Sequence, residues 1–285
     1  MKMRTFPLLT GTLAILACLS SCAPKTQEIK LISYNIRLGV ADDGENSWNF
    51  RKQATANMLN TEKPDAFGLQ EAMPMQLEFI EENFPQYKRI GVGRDDGIAE
   101  GECMAVFYNT DKFELVESAT YWLSETPEKV SFGWDAACRR TVTMTHLKSK
   151  ETGKDLCFFN THLDHRGPVA RAESVKLLQR LMDEFADNGT PVVLCGDMNS
   201  HITPIFDPLF ADGFVNARDM APITDSRNTY NAWGEYDGQE GNEGMMVIDH
   251  FFTKGIVPKS FRTLTQDYGA PYISDHYPIE LTFDL

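Results

Sequence analysis

"PVVLCGDMNS" (residues 191–200) carries an apolar run to a glycine and then places Asp197 and Asn199 two positions apart. Side chains at positions i and i+2 of a strand project from the same face. The stretch therefore predicts a buried strand over 191–197 whose end presents a carboxylate and a carboxamide side by side. Gly-Asp-x-Asn also suits an ordinary turn, because both side chains can hydrogen-bond to nearby backbone. The pattern alone leaves both a site and a turn open.

Strand and helix patterns alternate outward from this stretch. Apolar or alternating runs predict strands at 29–36, 65–72, 103–109, 141–149, 156–165, 191–197, 247–253 and 277–285. Apolar residues at helical spacing predict helices at 51–60, 75–84 and 168–187. The last of these begins at Pro168 and is ended by Gly189. Helices combined with long antiparallel-type strands are typical of a layered α/β fold.

Composition limits the class of partner. The 285 residues carry a net charge of −14, whereas proteins that bind long nucleic acids usually present a basic face. No linker or low-complexity tract follows residue 27, so we predict one domain over 28–285 and expect a monomer. Cys157 and Cys195 lie within apolar strand patterns and are predicted to be buried free thiols.

The N-terminus has the pattern of an export signal. Lys2 and Arg4 precede an apolar run over 6–19 that is short for a membrane span. "LSSC" (19–22) resembles the bacterial lipobox, in which the cysteine becomes lipidated. We therefore predict a lipoprotein signal peptide over 1–22, a lipid on Cys22 and a short tether over 23–27. This predicts a protein anchored to a bacterial membrane in the cell envelope, periplasmic or surface-exposed.

Polar side chains able to bind metal or phosphate recur where predicted strands end. They are Asn35, Glu71, Asn160, His162, Asp197 and Asn199, joined near the C-terminus by Asp249, Asp275 and His276. Each alone is an ordinary polar strand end, but together they predict one site at a shared rim. Hard oxygen ligands without a His/Cys cluster favour Mg²⁺, or Mn²⁺, over Zn²⁺.

Six ordered motifs resemble the endonuclease/exonuclease/phosphatase superfamily. They are "SYNIR" (33–37), "GLQEA" (68–72), "FNTHLDH" (159–165), "CGDMN" (195–199), "IDHFF" (248–252) and "SDHYPI" (274–279). The resemblance implies a four-layer α/β/β/α sandwich with two packed mixed, mainly antiparallel sheets. It also implies a metal site at one rim and metal-assisted attack of water on a phosphate ester.

The resemblance also implies roles for the metal-side residues. Glu71 and Asn35 would hold the Mg²⁺, with Asp275 as a direct or water-mediated ligand. His276 would act as general base or electrostatic partner, oriented by Asp249.

The resemblance also implies roles for the residues that would contact the attacking water and the phosphate. Asp197 would orient or deprotonate the attacking water, while Asn199 and His162 would bind phosphate. Whether Asp197 or His276 is the base stays open. His250 follows Asp249 directly and is predicted to face away from the site, because adjacent strand residues point to opposite faces.

Arginines beside these motifs are candidates for bidentate contacts to phosphate oxygens. They are Arg37, Arg94, Arg139, Arg140 and Arg166. Arg37 and Arg166 are favoured because they follow strands of the predicted site. We predict substrate contacts from Arg37, Arg166, Arg139 and Asn160.

Three functions remain open on this sequence. The first is a Mg²⁺-dependent phosphoesterase that hydrolyses a monoester or diester of a small phosphorylated molecule. The second is a deoxyribonuclease-like or deadenylase-like nuclease acting on extracellular nucleic acid. The third is a binding lipoprotein that has lost catalysis, which is disfavoured because every expected acid, base and ligand is present.

Overall fold

The computed structural model describes residues 25–187, 189–237, 244 and 246–285. The predicted signal peptide and Cys22 lie outside these residues. In the described part of the chain, no helix combines the length and apolarity needed to cross a bilayer.

Strands and helices alternate along much of the chain. The strands are β1 (Glu28–Asn35), β2 (Ala66–Ala72), β3 (Tyr87–Ile90), β4 (Cys103–Asn109), β5 (Phe113–Trp122), β6 (Thr141–Ser149), β7 (Asp155–His162), β8 (Val192–Asp197), β9 (Val215–Asn216), β10 (Asp249–Lys254), β11 (Pro258–Thr263) and β12 (Ile279–Asp284). The helices are α1 (Trp48–Glu62), α2 (Pro74–Asn83), α3 (Pro168–Phe185), α4 (Asp207–Ala211) and α5 (Ala217–Met220). Short 3₁₀ turns lie at Gly44–Asn46, Pro204–Phe206 and Ala232–Gly234.

The strands form two sheets of six, ordered β11-β12-β1-β2-β4-β3 and β5-β6-β7-β8-β10-β9. The pairs β1/β2 and β7/β8 are parallel, and the other pairs are antiparallel. Side chains such as Leu31 and Phe158 fill the space between the sheets. Tyr34 and Ile32, on the opposite face of β1 from Leu31, pack with helix residues such as Met58.

The outer face of the second sheet is covered by α3, where Val175, Leu178 and Met182 join a core with Phe159 and Phe252. With α1 and α2 on the first sheet, this arrangement is the α/β/β/α sandwich, so the predicted fold class is confirmed. Among the described residues the four cysteines are free thiols, including the buried Cys157 and Cys195, as predicted.

All four strands that the sequence does not predict lie at sheet edges. They are β3, β5, β9 and β11, whereas all eight interior strands are predicted within a few residues. In β5, for example, Glu114 and Glu117 are exposed. An edge strand is buried less than an interior strand, so its sequence lacks the apolar run that identifies one.

Sheet register gathers the polar strand ends at one rim. The last residues of β7 and β8 pair directly, His162 with Asp197. Because β10 runs antiparallel to β8, its first residue, Asp249, pairs with Asp197 as well. In the other sheet Asn35 ends β1 beside Gln70 of β2, and Glu71 follows directly.

Candidate active site

A cleft of about 480 Å³ opens at this rim. Its walls are formed by Arg37, Leu38, Glu71, Glu102, Cys138, Arg140, His162, His165, Asp197, Asn199, Tyr230, Met246, Ile248, Asp275 and His276. Seven residues predicted from the sequence line it, namely Arg37, Glu71, His162, Asp197, Asn199, Asp275 and His276. Asn35 and Asp249 lie behind the wall and bond to residues that line it.

Three buried groups, from Asp249 through His276 to Asp197, form a line. Asp249 Oδ2 lies 2.9 Å from His276 Nδ1, and His276 Nε2 lies 3.7 Å from Asp197 Oδ2. The Asp249 carboxylate accepts a hydrogen bond and so fixes the proton of His276 on Nδ1. Burial acts to lower the pKa of His276, but the charges of Asp249 and Asp197 outweigh it and raise that pKa to about 10. The imidazole is therefore positively charged at neutral pH.

Asp197 is a buried carboxylate with several donors around it. Its Oδ1 accepts from the backbone N–H of Asn199 at 2.8 Å, and its Oδ2 accepts from Asn35 Nδ2 at 3.0 Å. Burial raises the pKa of Asp197, Asp249 raises it further, and the charge of His276 opposes the shift. Asp197 is consequently a stronger base than an ordinary aspartate.

The Asn35 carboxamide connects two carboxylates. Its nitrogen donates to Glu71 Oε1 at 3.1 Å and to Asp197 Oδ2 at 3.0 Å. Its oxygen accepts from the backbone N–H of Arg37 at 3.0 Å. Since the nitrogen faces the carboxylates, Asn35 as placed positions Glu71 and Asp197. The predicted contact of Asn35 with a metal stays a prediction.

Three site residues adopt left-handed backbone conformations. Arg37 has a φ of 60°, Glu71 of 61° and Asn199 of 45°. Positive φ is unfavourable for residues with a side chain and is tolerated where the surrounding structure enforces it. Such strain concentrates at functional sites and here aims all three side chains at the cleft.

The cleft concentrates negative charge that a divalent cation would balance. Burial raises the pKa of Asp275, and the neighbouring charge of Glu71 raises it further. The charges of His276 and Arg37 lower the pKa of Asp275. The guanidinium of Arg37 lies 3.5 Å from Asp275 and also bonds to Asp43 at 2.9 Å. Carboxylate oxygens on one wall suit a hard divalent ion, so the residues fit the expected metal.

Asp197, Asp249 and His276 also have ligand atoms within 4.8 Å of one another. A metal there would have to bind His276, whose Nδ1 already lies 2.9 Å from Asp249 Oδ2. The carboxylates of Glu71 and Asp275 offer an all-oxygen alternative in the same cleft.

His162 and Asn199 are coupled on the second sheet. Asn199 Nδ2 donates to the carbonyl of Leu163 and to His162 Nε2, both at 2.9 Å. His162 Nδ1 has no hydrogen-bond partner in the described residues. Burial, reinforced by the charge of Arg140, lowers the pKa of His162 well below its ordinary value. The imidazole is therefore neutral.

Asn160 does not line the cleft, so its position does not support the predicted substrate contact. It is fully buried between the sheets, where its nitrogen donates to the carbonyls of Leu69 and Ala105 at 2.8 and 2.9 Å. Its oxygen accepts from Gln70 Nε2. Asn160 shares a strand face with His162 but lies two residues, about 6.6 Å, deeper along β7.

Two of the predicted arginines also lie away from the cleft. Arg166 is exposed and does not line it. Arg139 stacks over Phe132, with its guanidinium 4.5 Å from the ring centroid, and bonds to Asp95 at 3.2 Å. The substrate contacts predicted for both arginines are therefore not supported.

Arg140 lines the cleft instead of its neighbour Arg139. Alternation along the chain indicates that only one of two successive residues faces a site, but it does not say which. By the same alternation His250 does face away, with Nε2 bonded to the carbonyl of Ser200 at 3.0 Å.

Sequence reasoning missed seven further residues that line the cleft. They are Leu38, Glu102, Cys138, His165, Tyr230, Met246 and Ile248. His165 belongs to the "FNTHLDH" motif, and this was a usable signal. Tyr230 packs its ring 4.9 Å from His276 but comes from a loop without a recognisable pattern.

Comparison with known proteins gives the family. Residues 32–276 match the Endonuclease/Exonuclease/phosphatase family. A solved family protein from Bacteroides thetaiotaomicron is 33% identical with a TM-score of 0.85, and the match covers 92% of this chain and 97% of that one. A mannosyl-6-phosphatase from the same organism is also 33% identical, with a TM-score of 0.82 and coverage of 90% and 99%. Nocturnin from Mus musculus is 23% identical, covering 93% of this chain and 68% of that protein.

These matches and the cleft agree with each other. The family contains phosphatases, nucleases and phosphodiesterases, which generally use divalent metal ions, and the matched range includes the residues that line the cleft. The chain therefore belongs to the Endonuclease/Exonuclease/phosphatase family and is a hydrolase of ester bonds.

Proposed function

We propose that this chain is a Mg²⁺-dependent phosphoesterase that hydrolyses a small phosphorylated molecule, with a sugar phosphate as the favoured class. The observation that carries the proposal is the buried line from Asp249 through His276 to Asp197, which lies in one cleft with Glu71 and Asp275. Such a cleft offers carboxylates for a metal beside proton-handling groups.

Asp197 is our candidate for the group that accepts the proton of the attacking water. Its raised pKa makes it the stronger base, and Asn35 and Asn199 fix its two oxygens. His276, charged through Asp249, would then place positive charge beside the phosphoryl group. This division of roles favours Asp197 over His276 as the base.

Glu71 and Asp275 would hold the Mg²⁺, with Asn35 positioning Glu71. A bound Mg²⁺ lowers the pKa of its water and neutralises charge on the leaving oxygen. Arg37 and the Asn199 carboxamide would contact the phosphate oxygens, because both side chains line the cleft beside these carboxylates.

The net charge of the chain and its similarity to known proteins support a small substrate. The net charge of −14 disfavours binding of a polyanionic polymer. A mannosyl-6-phosphatase matches at 33% identity over 90% of the chain, whereas the nocturnin match, at 23% identity, is weaker. We therefore place a nuclease second and a binding protein without catalysis third.

For the N-terminus we keep the proposal of a signal peptide over 1–22 and a lipid on Cys22, supported by the lipobox-like "LSSC". The catalytic domain would then span 28–285 and act as a monomer at a bacterial membrane, periplasmic or surface-exposed. Mass spectrometry of the mature N-terminus tests this, since a diacylglyceryl group on Cys22 is expected and an unmodified cysteine would contradict it.

The function is tested with protein beginning at Ala23. Mannose 6-phosphate, bis(p-nitrophenyl) phosphate, single-stranded DNA and RNA are each incubated with Mg²⁺ or with chelator. We expect Mg²⁺-dependent hydrolysis of the sugar phosphate, reduced about 100-fold or more in Asp197→Asn. His146→Gln, whose imidazole lies outside the cleft and bonds to Asp155, should retain wild-type activity. Preferred cleavage of nucleic acid would support the nuclease, and inertness towards all four would support the binding protein.

A further inference from the structure

Arg140 occupies a fixed position in the wall of the cleft. It directly precedes β6, is 5% exposed and lines the cleft with His162 and His165. Arg37 reaches the same cleft from the end of β1 in the other sheet. Two guanidinium groups therefore face one cavity from different sheets.

The Arg140 guanidinium is held before any ligand binds. Its Nε lies 3.4 Å from Asp164 Oδ2, and its Nη2 lies 3.1 Å from His165 Nδ1. Its Nη1 makes no hydrogen bond within the described chain, and this nitrogen is not sealed off from solvent. The third nitrogen of the guanidinium fork is therefore available to a ligand without loss of side-chain entropy.

Asp164 does not cancel the charge of Arg140. Four backbone N–H groups donate to its carboxylate, those of Ala137 and Cys138 to Oδ2 and those of Arg166 and Gly167 to Oδ1. These dipoles neutralise part of the carboxylate charge. Glu102, a second carboxylate whose charge interacts with Arg140, is engaged by Arg94 at 2.7 Å. Arg140 therefore keeps positive charge for a ligand in the cleft.

We propose that Arg140 selects phosphate monoesters over diesters by binding the second ionised oxygen of the monoester. This inference rests on the proposed phosphoesterase function and refines its substrate class. A monoester carries close to two negative charges at neutral pH, because its second pKa is about 6, whereas a diester carries one. A fixed second cation in the same cleft as Arg37 therefore adds more to the binding of a monoester.

The test compares two substrates with the same leaving group, p-nitrophenyl phosphate and methyl p-nitrophenyl phosphate, both with Mg²⁺. In Arg140→Gln we expect kcat/KM for the monoester to fall about 10- to 100-fold, the effect of one charge-assisted contact. The diester should change less than about threefold. Arg140→Lys, which keeps the charge, should restore part of the monoester preference.

Arg139→Gln is the matched control, because Arg139 is the adjacent arginine and faces Asp95 and Phe132. It should leave the ratio of the two kcat/KM values unchanged. Equal losses on both substrates in Arg140→Gln, or the same loss in Arg139→Gln, would overturn the role of Arg140. A wild-type enzyme that prefers the diester would overturn it too while leaving the hydrolase intact. Wild-type protein inert on both compounds would instead refute the proposed function.

Discussion

Arg51 is predicted to hold the backbone on which the metal-side residues stand. It is 1% exposed and donates four hydrogen bonds to backbone carbonyls. The acceptors are the carbonyls of Asn46 at 2.8 Å, Ile36 at 2.5 Å, Ile273 at 3.0 Å and Arg37 at 3.1 Å. Its guanidinium also lies 5.3 Å from the ring of Trp48 and 5.6 Å from that of Trp233. Replacing it disturbs the segments that carry Asn35 and Asp275.

The size of the effect follows from which carbonyls keep another donor. In Arg51→Met, the Ile273 carbonyl keeps Tyr34 Oη at 2.7 Å, and that of Arg37 keeps Gln76 Nε2 at 2.9 Å. The Ile36 and Asn46 carbonyls lose their side-chain donor, and each carbonyl left buried without a donor lowers the free energy of unfolding by about 1–3 kcal/mol. Two lost cation–π contacts add about 0.5–2 kcal/mol each. Removing a buried charge offsets part of this, so we expect unfolding free energy to fall by about 3–5 kcal/mol.

Urea unfolding followed by tryptophan fluorescence measures this loss. Arg180→Met is the control, since Arg180 on α3 is 62% exposed and should change stability by less than about 0.5 kcal/mol. In folded Arg51→Met, kcat should fall about 10- to 100-fold, because small displacements of reacting groups reduce rates strongly. A variant within about 1 kcal/mol of wild type, with unchanged kcat, would refute this reasoning.

Three other predictions concern His250, Asn160 and Glu71. Burial lowers the pKa of His250 from 6.5 to about 4, so the folded state binds its proton less tightly than the unfolded state and stability falls as pH drops below 6.5. Between pH 7.5 and 5, the unfolding free energy of wild type should fall about 2 kcal/mol more than that of His250→Gln, whose amide can still donate to Ser200. Unfolding titrations measure this difference, and equal losses in the two proteins would contradict the prediction. Asn160→Leu should destabilise the protein by about 2–4 kcal/mol without raising KM, because the Leu69 and Ala105 carbonyls lose their side-chain donor. A raised KM at unchanged stability would instead support a substrate contact by Asn160. Mg²⁺ should raise the melting temperature of wild type measured by calorimetry but not that of Glu71→Gln, and equal shifts would place the metal elsewhere.

The interior of the fold was predictable because burial on both faces leaves apolar runs in the sequence. Edge strands such as β5 and β11 were missed because solvent accepts polar residues there. Within the site, the identity of strand-end residues was predictable but their depth and direction were not. Asn160 and His162 share a face of β7, yet only His162 reaches the rim. The sequence likewise did not show which of Arg139 and Arg140 faces the cleft.

The central claim is that water attacks phosphorus in the cleft between Asp197 and the Glu71–Asp275 wall. Hydrolysis of mannose 6-phosphate in oxygen-18 water, with mass spectrometry of both products, tests it most directly. We predict one oxygen-18 atom in the released phosphate, none in the C6 hydroxyl of the sugar, and release reduced about 100-fold or more in Asp197→Asn. Label in the C6 hydroxyl, or undiminished release by Asp197→Asn, would contradict the account.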